Sequence, residues 1–171
     1  MVNLYFGLYP IALIISGLIS FVLFIILLRT RKEPMTWYLA IALLAEAEWA
    51  ITVGIDNIVT ETSLKIMFSK ISYWGVYNCV PLFLLFTIHY IGKTNWLTTR
   101  KIALFWVVPV IMIVLVSTNE FHHLIWSGFA ASPRAGDNIL FYFRGPLYWL
   151  GVINNYVMLI AIFLMLFWKM M

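Results

Sequence analysis

A chain of 171 residues with 64% apolar and only 11% charged residues, and a mean hydropathy of +0.97, cannot cover a water-facing surface; a soluble domain has roughly a quarter of its residues charged. The formal charge of +4 reports where loops lie in a lipid-solvated chain, not an affinity for nucleic acid. One cysteine, Cys79, excludes an internal disulfide framework and a zinc site built on several thiolates.

The first apolar run, Tyr5–Leu28, has no basic residue before it and is longer than the ~7–15-residue core of a signal peptide. Arg29, Arg31 and Lys32 follow it as a stop-transfer flank would, so it is predicted as the first membrane helix. A helix rises about 1.5 Å per residue, and about 20 residues cross the hydrocarbon. Four further runs qualify: Trp37–Ile58, Ile66–Ile91, Ile102–Ser117 and Pro146–Trp168. The fourth span is short and leans on Arg100 and Lys101, whose stems snorkel to the headgroups; Pro109 predicts a kink in it. All these runs are continuously apolar, unlike the alternating strands of a membrane barrel. The expected fold is an all-α polytopic transmembrane bundle of about five spanning helices, a single membrane-embedded domain over 1–171.

The connections are polar. The first covers Arg29–Thr36. The second lies near Val59–Lys65, with Thr62 or Ser63 as an N-cap for the third helix. The third is Gly92–Lys101. The fourth, about Thr118–Gly145, is the longest and reads as a loop. With the N-terminus outside, the cytoplasmic segments hold Arg29, Arg31, Lys32, Lys93, Arg100, Lys101 and Lys169, and the outer ones hold Lys65, Lys70, Arg134 and Arg144. That basic bias places the C-terminus in the cytoplasm of a plasma-membrane protein. Trp37, Trp96, Trp126, Trp149 and Trp168 lie near span ends, as an aromatic belt requires.

Few residues bear chemistry. Glu46 and Glu48 fall near the middle of the second span, where an ionised carboxylate costs several kcal/mol. They stand about 200° apart around the helix, which argues against a paired-carboxylate acid/base site. Each serves either as a ligand contact or switch, or as a packing lock bonded to Asn78, Asn154 or Asn155. Asn78 shares the third span with Gly75 and Pro81, a cluster that marks a kink beside a cavity or a notch for close helix packing. His122 and His123 are adjacent and point apart, with no third ligand for a metal; with Trp126 they are expected to form an ordered outer rim. His89 is read as interfacial. No phosphate-binding glycine loop, nucleophile–histidine pairing or acid cluster is present in the sequence, so no catalytic residue, metal site or cofactor is assigned.

Several motifs follow one another from Lys70 onward: Lys-Ile-Ser-Tyr-Trp-Gly-Val, then Val-Pro-Leu-Phe-Leu-Leu-Phe-Thr-Ile-His-Tyr-Ile-Gly, then Trp96-Leu97 with Arg100, a span centred on Pro109, and Ser-Thr-Asn-Glu-Phe-His-His-Leu-Ile-Trp. In this order they resemble the seven-helix N-terminal sensor region of prokaryotic membrane histidine kinases. That family closes helix four with Thr-Asn-x-x-His-x-Leu-x-Trp, matched by Thr118, Asn119, His122 or His123, and Trp126. An acid in helix two, matched by Glu46 or Glu48, and the Gly145-Pro146-x-Tyr-Trp entry to helix five extend the resemblance over about Trp37 to Trp168. It implies an input domain for two-component signal transduction. A small-molecule or membrane cue would be the ligand, the bilayer and a cytoplasmic kinase (or a cyclic-dinucleotide synthase) or a homodimer mate the partners, and two further helices would follow Met171. The alternative is a small transporter or channel-like protein, against which stand the absence of an inverted repeat and of a buried base along a path.

Overall fold

The computed structural model describes residues 7–30, 33–133 and 138–171. Tyr5 and Phe6 of the first predicted span, Arg31 and Lys32 of the first loop and Arg134 of the fourth lie outside them. Five helices are long and apolar enough to cross a membrane: α1 Leu8–Thr30, α2 Pro34–Ile58, α3 Thr62–Tyr90, α4 Thr99–Ser117 and α6 Tyr148–Met170. The chain is an all-α polytopic bundle, as its hydropathy dictates. The fourth span reaches 19 residues, about 28 Å at 1.5 Å per residue, because Thr98 caps α4 by accepting a 3.4 Å hydrogen bond from the Lys101 N–H. This brings Arg100 and Lys101 inside the helix. Pro34 starts α2, where its missing N–H costs nothing. The third helix begins before the expected cap: Thr62 is already helical, Glu61 takes the N-cap position, and the Ser63 hydroxyl bonds to the Glu61 carboxylate at 2.5 Å.

α3 is the hub. Half of its most apolar window is buried inside the protein, against 11% for α1, and it packs against α2, α4 and α6. Helices in lipid gain nothing from water exclusion against one another, so close approach at small residues supplies the packing. The α1–α2 pair is clasped in this way at mid-length and at the end away from its connection. A Cβ on Gly17 would lie 3.0 Å from the Ala47 carbonyl, and one on Gly54 would lie 3.2 Å from that of Pro10. Ala40, Ala42, Ala47 and Ala50 of α2 are buried. Two apolar clusters fill the rest. Tyr77, Met112, Ile113, Val116, Ile125 and Trp126 form one; Leu84, Ile88, Met158 and Ile162 form the other, toward the Gly92 turn. Large apolar side chains on α1, α4 and α6 remain exposed, the surface expected of lipid-facing helices.

The fourth connection is not an unstructured loop. A single helical turn, α5 Asn119–His122, leads into an antiparallel hairpin of β1 Trp126–Ala131 and β2 Leu140–Arg144. Ser127 is an extra residue in the register between Trp126↔Arg144 and Gly128↔Phe143, a bulge that sharpens the strand twist. β1 carries two alanines and a glycine, which do not favour a strand, whereas the aromatic Leu-Phe-Tyr-Phe of β2 does. Pairing and the platform beneath make them strands.

A roofed cavity at the hairpin end of the bundle

Asn119 organises the approach to the hairpin. Its side chain is buried. The Oδ1 accepts from the Ile125 and Trp126 N–H groups, both at 3.0 Å, and the Nδ2 donates to the Trp126 carbonyl at 2.9 Å. This closes the chain over α4 and drives Trp126 inward, where it is 1% exposed and packs edge-on against Tyr73 and beside Phe129 and Tyr142. Trp126 is therefore a core residue, not part of an interfacial belt. The hairpin is pinned on its other side as well. Lys65, only 4% exposed, donates to the carbonyls of Asp56 at 2.7 Å and Asn138 at 2.9 Å. The Asn138 amide in turn donates to the carbonyls of Asn57 and Val59. The α2–α3 turn and the segment entering β2 thus satisfy each other's backbone groups.

Beneath this roof, between α2, α3 and α6, is a cavity of about 660 Å³, the size of sites that hold small organic ligands. Each helix contributes a stripe of residues three and four apart: Trp49, Val53 and Asp56 from α2; Ser69, Ser72, Tyr73, Val76 and Val80 from α3; Tyr148, Val152, Asn155 and Leu159 from α6. Trp126, Tyr142 and Arg144 close the top. Polar atoms gather at that end. The Ser69 and Tyr142 hydroxyls share a 2.6 Å hydrogen bond, burial pushes the Tyr142 phenol well above its usual range, and the Arg144 guanidinium stacks 4.3 Å over the Tyr148 ring. Two buried polar atoms at this end, Asp56 Oδ1 and the Trp126 indole nitrogen, lack a hydrogen bond of ordinary geometry, although the Tyr142 hydroxyl lies beside the Asp56 carboxylate and the Tyr73 hydroxyl beside the indole. Nearly all buried polar atoms in folded proteins are paired, so an acceptor and a donor with capacity to spare on one cavity wall favour this cavity as the candidate site.

The residues singled out from sequence fall in different places. Trp126 lines the cavity. Glu48 does not; its carboxylate packs into the notch at Gly75 in the α2–α3 seam, with the Gly75 backbone and the Thr52 hydroxyl beside it. Glu46 is half-buried, within electrostatic range of Cys79. Asn78 serves neither acid: its amide donates to the Trp74 carbonyl and its Oδ1 accepts from the Trp106 indole at 2.9 Å, tying α3 to α4. Asn154 and Asn155 are within 3.5 Å of each other. His122 and His123 diverge. His122 bonds the Thr118 hydroxyl at 3.2 Å and accepts from the Leu124 N–H, whereas His123 is exposed and adopts the left-handed backbone that ends α5. Among the described residues no group of three or more His, Cys, Asp or Glu could hold a metal. Beside α5, Lys70 pairs with Glu120, whose carboxyl this bond holds below its ordinary range. At the far end His89 packs on Tyr38 at 4.9 Å. Asp56, Lys65, Tyr142 and Arg144 were not candidates by sequence. Their signal was faint: an acid and a base nine residues apart across a short turn.

The described residues form a polytopic helical bundle with a cavity roofed by a hairpin. The family described as the N-terminal 7TM region of histidine kinase matches residues 12–171. The chain belongs to that family, and the match is to its sensor region, not to a catalytic domain. No curated protein and no solved structure matches it.

Proposed function

We propose that this domain senses a ligand held in the cavity and passes a change in helix packing to a cytoplasmic histidine kinase. The observation that carries the reading is a cavity whose walls come from α2, α3, α6 and the hairpin, with Asp56 Oδ1 and Trp126 Nε1 on one wall and neither fully satisfied within the chain. A ligand shifts an equilibrium only by binding two packings differently, and these are the groups able to make that difference. Glu48 is assigned the role of a polar lock in the α2–α3 seam, and Asn78 that of a fixed tie between α3 and α4. The chain itself performs no phosphoryl transfer, because that chemistry needs a nucleotide site in water with groups to hold phosphates and metal.

The hairpin end is assigned to the outside and the C-terminal end of α6 to the cytoplasm, from the basic residues gathered at the Gly92-turn end. Single cysteines at Asn95 and Ser127, in a Cys79→Ala background, test this with an impermeant thiol reagent on intact cells. Labelling at 127 alone is expected; labelling at 95 alone reverses the orientation. For the function, Val76→Phe and Val152→Phe fill the cavity from two helices. In a full-length parent kinase each is expected to fix autophosphorylation at one level whatever the medium. Responses identical to the parent's in both variants would refute the reading. The 171-residue chain with ATP and magnesium is expected to take up no phosphate.

A further inference from the structure

We infer that the cavity binds a small aromatic carboxylate, its anionic group held by Arg144 and its ring set among the tyrosines of α3 and α6; this rests on the proposal that the cavity is the sensory site.

The charges around the cavity do not balance. Asp56 and Arg144 are the charged residues that line it. Asp56 is settled within the chain: Lys65 is the cation that acts on it, and the Tyr142 hydroxyl lies beside its carboxylate. Lys65 is itself buried and bonded to two carbonyls. Arg144 has no such counterpart. Lys70–Glu120 is the salt bridge among the described residues, and no carboxylate there pairs with the Arg144 guanidinium. An arginine stacked on a ring keeps its N–H edge free to hold a carboxylate as a fork. Arg144 is stacked in this way, 4.3 Å over Tyr148. The charge left over in the cavity is positive, so the ligand that completes it is an anion.

Hydroxyl donors gather at the same place. The Tyr73 oxygen lies beside the Trp126 indole N–H and within electrostatic range of both Arg144 and Tyr148. An indole only donates, so the Tyr73 oxygen serves as its acceptor and the Tyr73 proton is left for another partner. A carboxylate between Arg144 and Tyr73 receives charge-assisted bonds from a guanidinium and a phenol, which are stronger than neutral ones. An ammonium at that point meets a like charge and a donor proton.

The remaining wall selects the body of the ligand. Tyr73 and Tyr77 of α3, Trp126 and Tyr142 of the hairpin, and Tyr148 and Tyr156 of α6 all line the cavity. Tyr73 meets Trp126 edge-on and Tyr77 at a tilt, each with ring centroids 5.4 Å apart. A ring inserted here finds the offset and edge-to-face neighbours that aromatic pairs favour. Polar groups also continue along the wall, at Ser72 and at Asn155, two turns along α6 from Tyr148. An alkyl tail leaves their oxygens unmet, whereas the positive edge of an aromatic ring lies well against them. The volume of about 660 Å³ admits two fused rings with a short acidic arm.

The probe is tritiated 2-naphthylacetate. Saturable binding is measured on the 171-residue protein in phosphatidylcholine nanodiscs, with binding to empty nanodiscs subtracted. One equivalent is expected. Arg144→Gln should weaken it about ten-fold and Tyr73→Phe about three-fold. Val152→Phe should abolish it by filling the cavity. Arg100→Gln, which removes an exposed cation at the opposite end of the bundle, should leave it unchanged. Each variant is first shown to melt with the parent. If Arg144→Gln does not, Arg144→Lys replaces it; that change keeps the charge and loses the fork, and a loss of about three-fold is expected. The uncharged 2-naphthylacetamide should bind about ten-fold more weakly than the acid, and decahydro-2-naphthylacetate, with the same charge and no π system, about three-fold more weakly. Absence of saturable binding overturns the proposal. So does an equal loss in Arg100→Gln, or binding of the amide, the decahydro acid or 2-(2-naphthyl)ethylamine as tight as that of the acid. If the acid does not bind while Val152→Phe still fixes kinase output in the full-length parent, the ligand class fails and the sensory reading stands. Binding that Arg144→Gln weakens, in a parent kinase indifferent to cavity filling, keeps the ligand and removes the sensory reading.

Discussion

Asn119→Ala should release the hairpin from the bundle. The substitution removes three hydrogen bonds and leaves the Ile125 N–H, the Trp126 N–H and the Trp126 carbonyl without the partner that now serves them. Each stranded buried group costs about 1–3 kcal/mol. The three share one side chain and are not additive, and water reaches part of the vacated space, so about 4 kcal/mol is the expected loss, or nearly a thousand-fold in a local opening equilibrium. The cost falls on the hairpin, not on the spans, because Asn119 bonds only within residues 119–126. Hydrogen–deuterium exchange of the protein in nanodiscs reads it directly, since local openings expose individual amides. Amides of residues 125–131 should exchange about a thousand times faster while those of α3 hold their protection. Asn119→Asp keeps an acceptor for the two N–H groups and loses the donor, and it should fall between. Protection over 125–131 within about three-fold of the parent would show that the network does not hold the roof.

Trp106→Phe removes the hydrogen bond to Asn78 and should cost about 0.6–2 kcal/mol, the range for polar contacts between membrane helices; a melting temperature equal to the parent's refutes it, and adding Asn78→Leu should cost little more. Gly151→Ala should displace α6, because the new methyl would stand 1.9 Å from the Tyr77 hydroxyl and 2.7 Å from Met112 Cε. Tyr77→Phe should partly rescue it, so strictly additive melting shifts would refute the contact. Glu120 has its carboxyl held below the ordinary range by Lys70, so its contribution is full above the unfolded value of about 4.3 and is lost as pH falls through the lower folded value. Glu120→Gln should therefore melt slightly below the parent at pH 7 and together with it at low pH; a gap that widens on acidification has the wrong sign. Gly145→Ala places a methyl 2.3 Å from the Leu124 carbonyl oxygen, and it should raise exchange over 140–144 as Asn119→Ala does over 125–131.

What the sequence determined by itself was the class and the count of spans. Runs of apolar residues of bilayer length leave the backbone only the helix as a way to satisfy its own hydrogen bonds in lipid, and that constraint acts residue by residue without reference to neighbours. The order of short motifs from Lys70 to Trp126 also carried the family. The site was a different matter. Glu46 and Glu48 drew attention because acids are rare in a span, yet Glu48 lies in a packed seam and Asn78 is engaged by Trp106. Asp56 sits near a span end, where an acid is unremarkable, and it gained meaning only when packing placed its carboxylate in the cavity wall beside Tyr142. Trp126 stood at a span boundary like any belt tryptophan until the Asn119 network folded the hairpin over it. The hairpin escaped the reading because Ala130 and Ala131 of β1 have little strand preference, and their pairing with the aromatic β2 is a contact over some ten residues that local pattern does not encode. Lipid solvation is a property of single segments and can be read along the chain. A cavity is made by several segments at once, so only the packing of α2, α3, α6 and the hairpin decided which side chains share it.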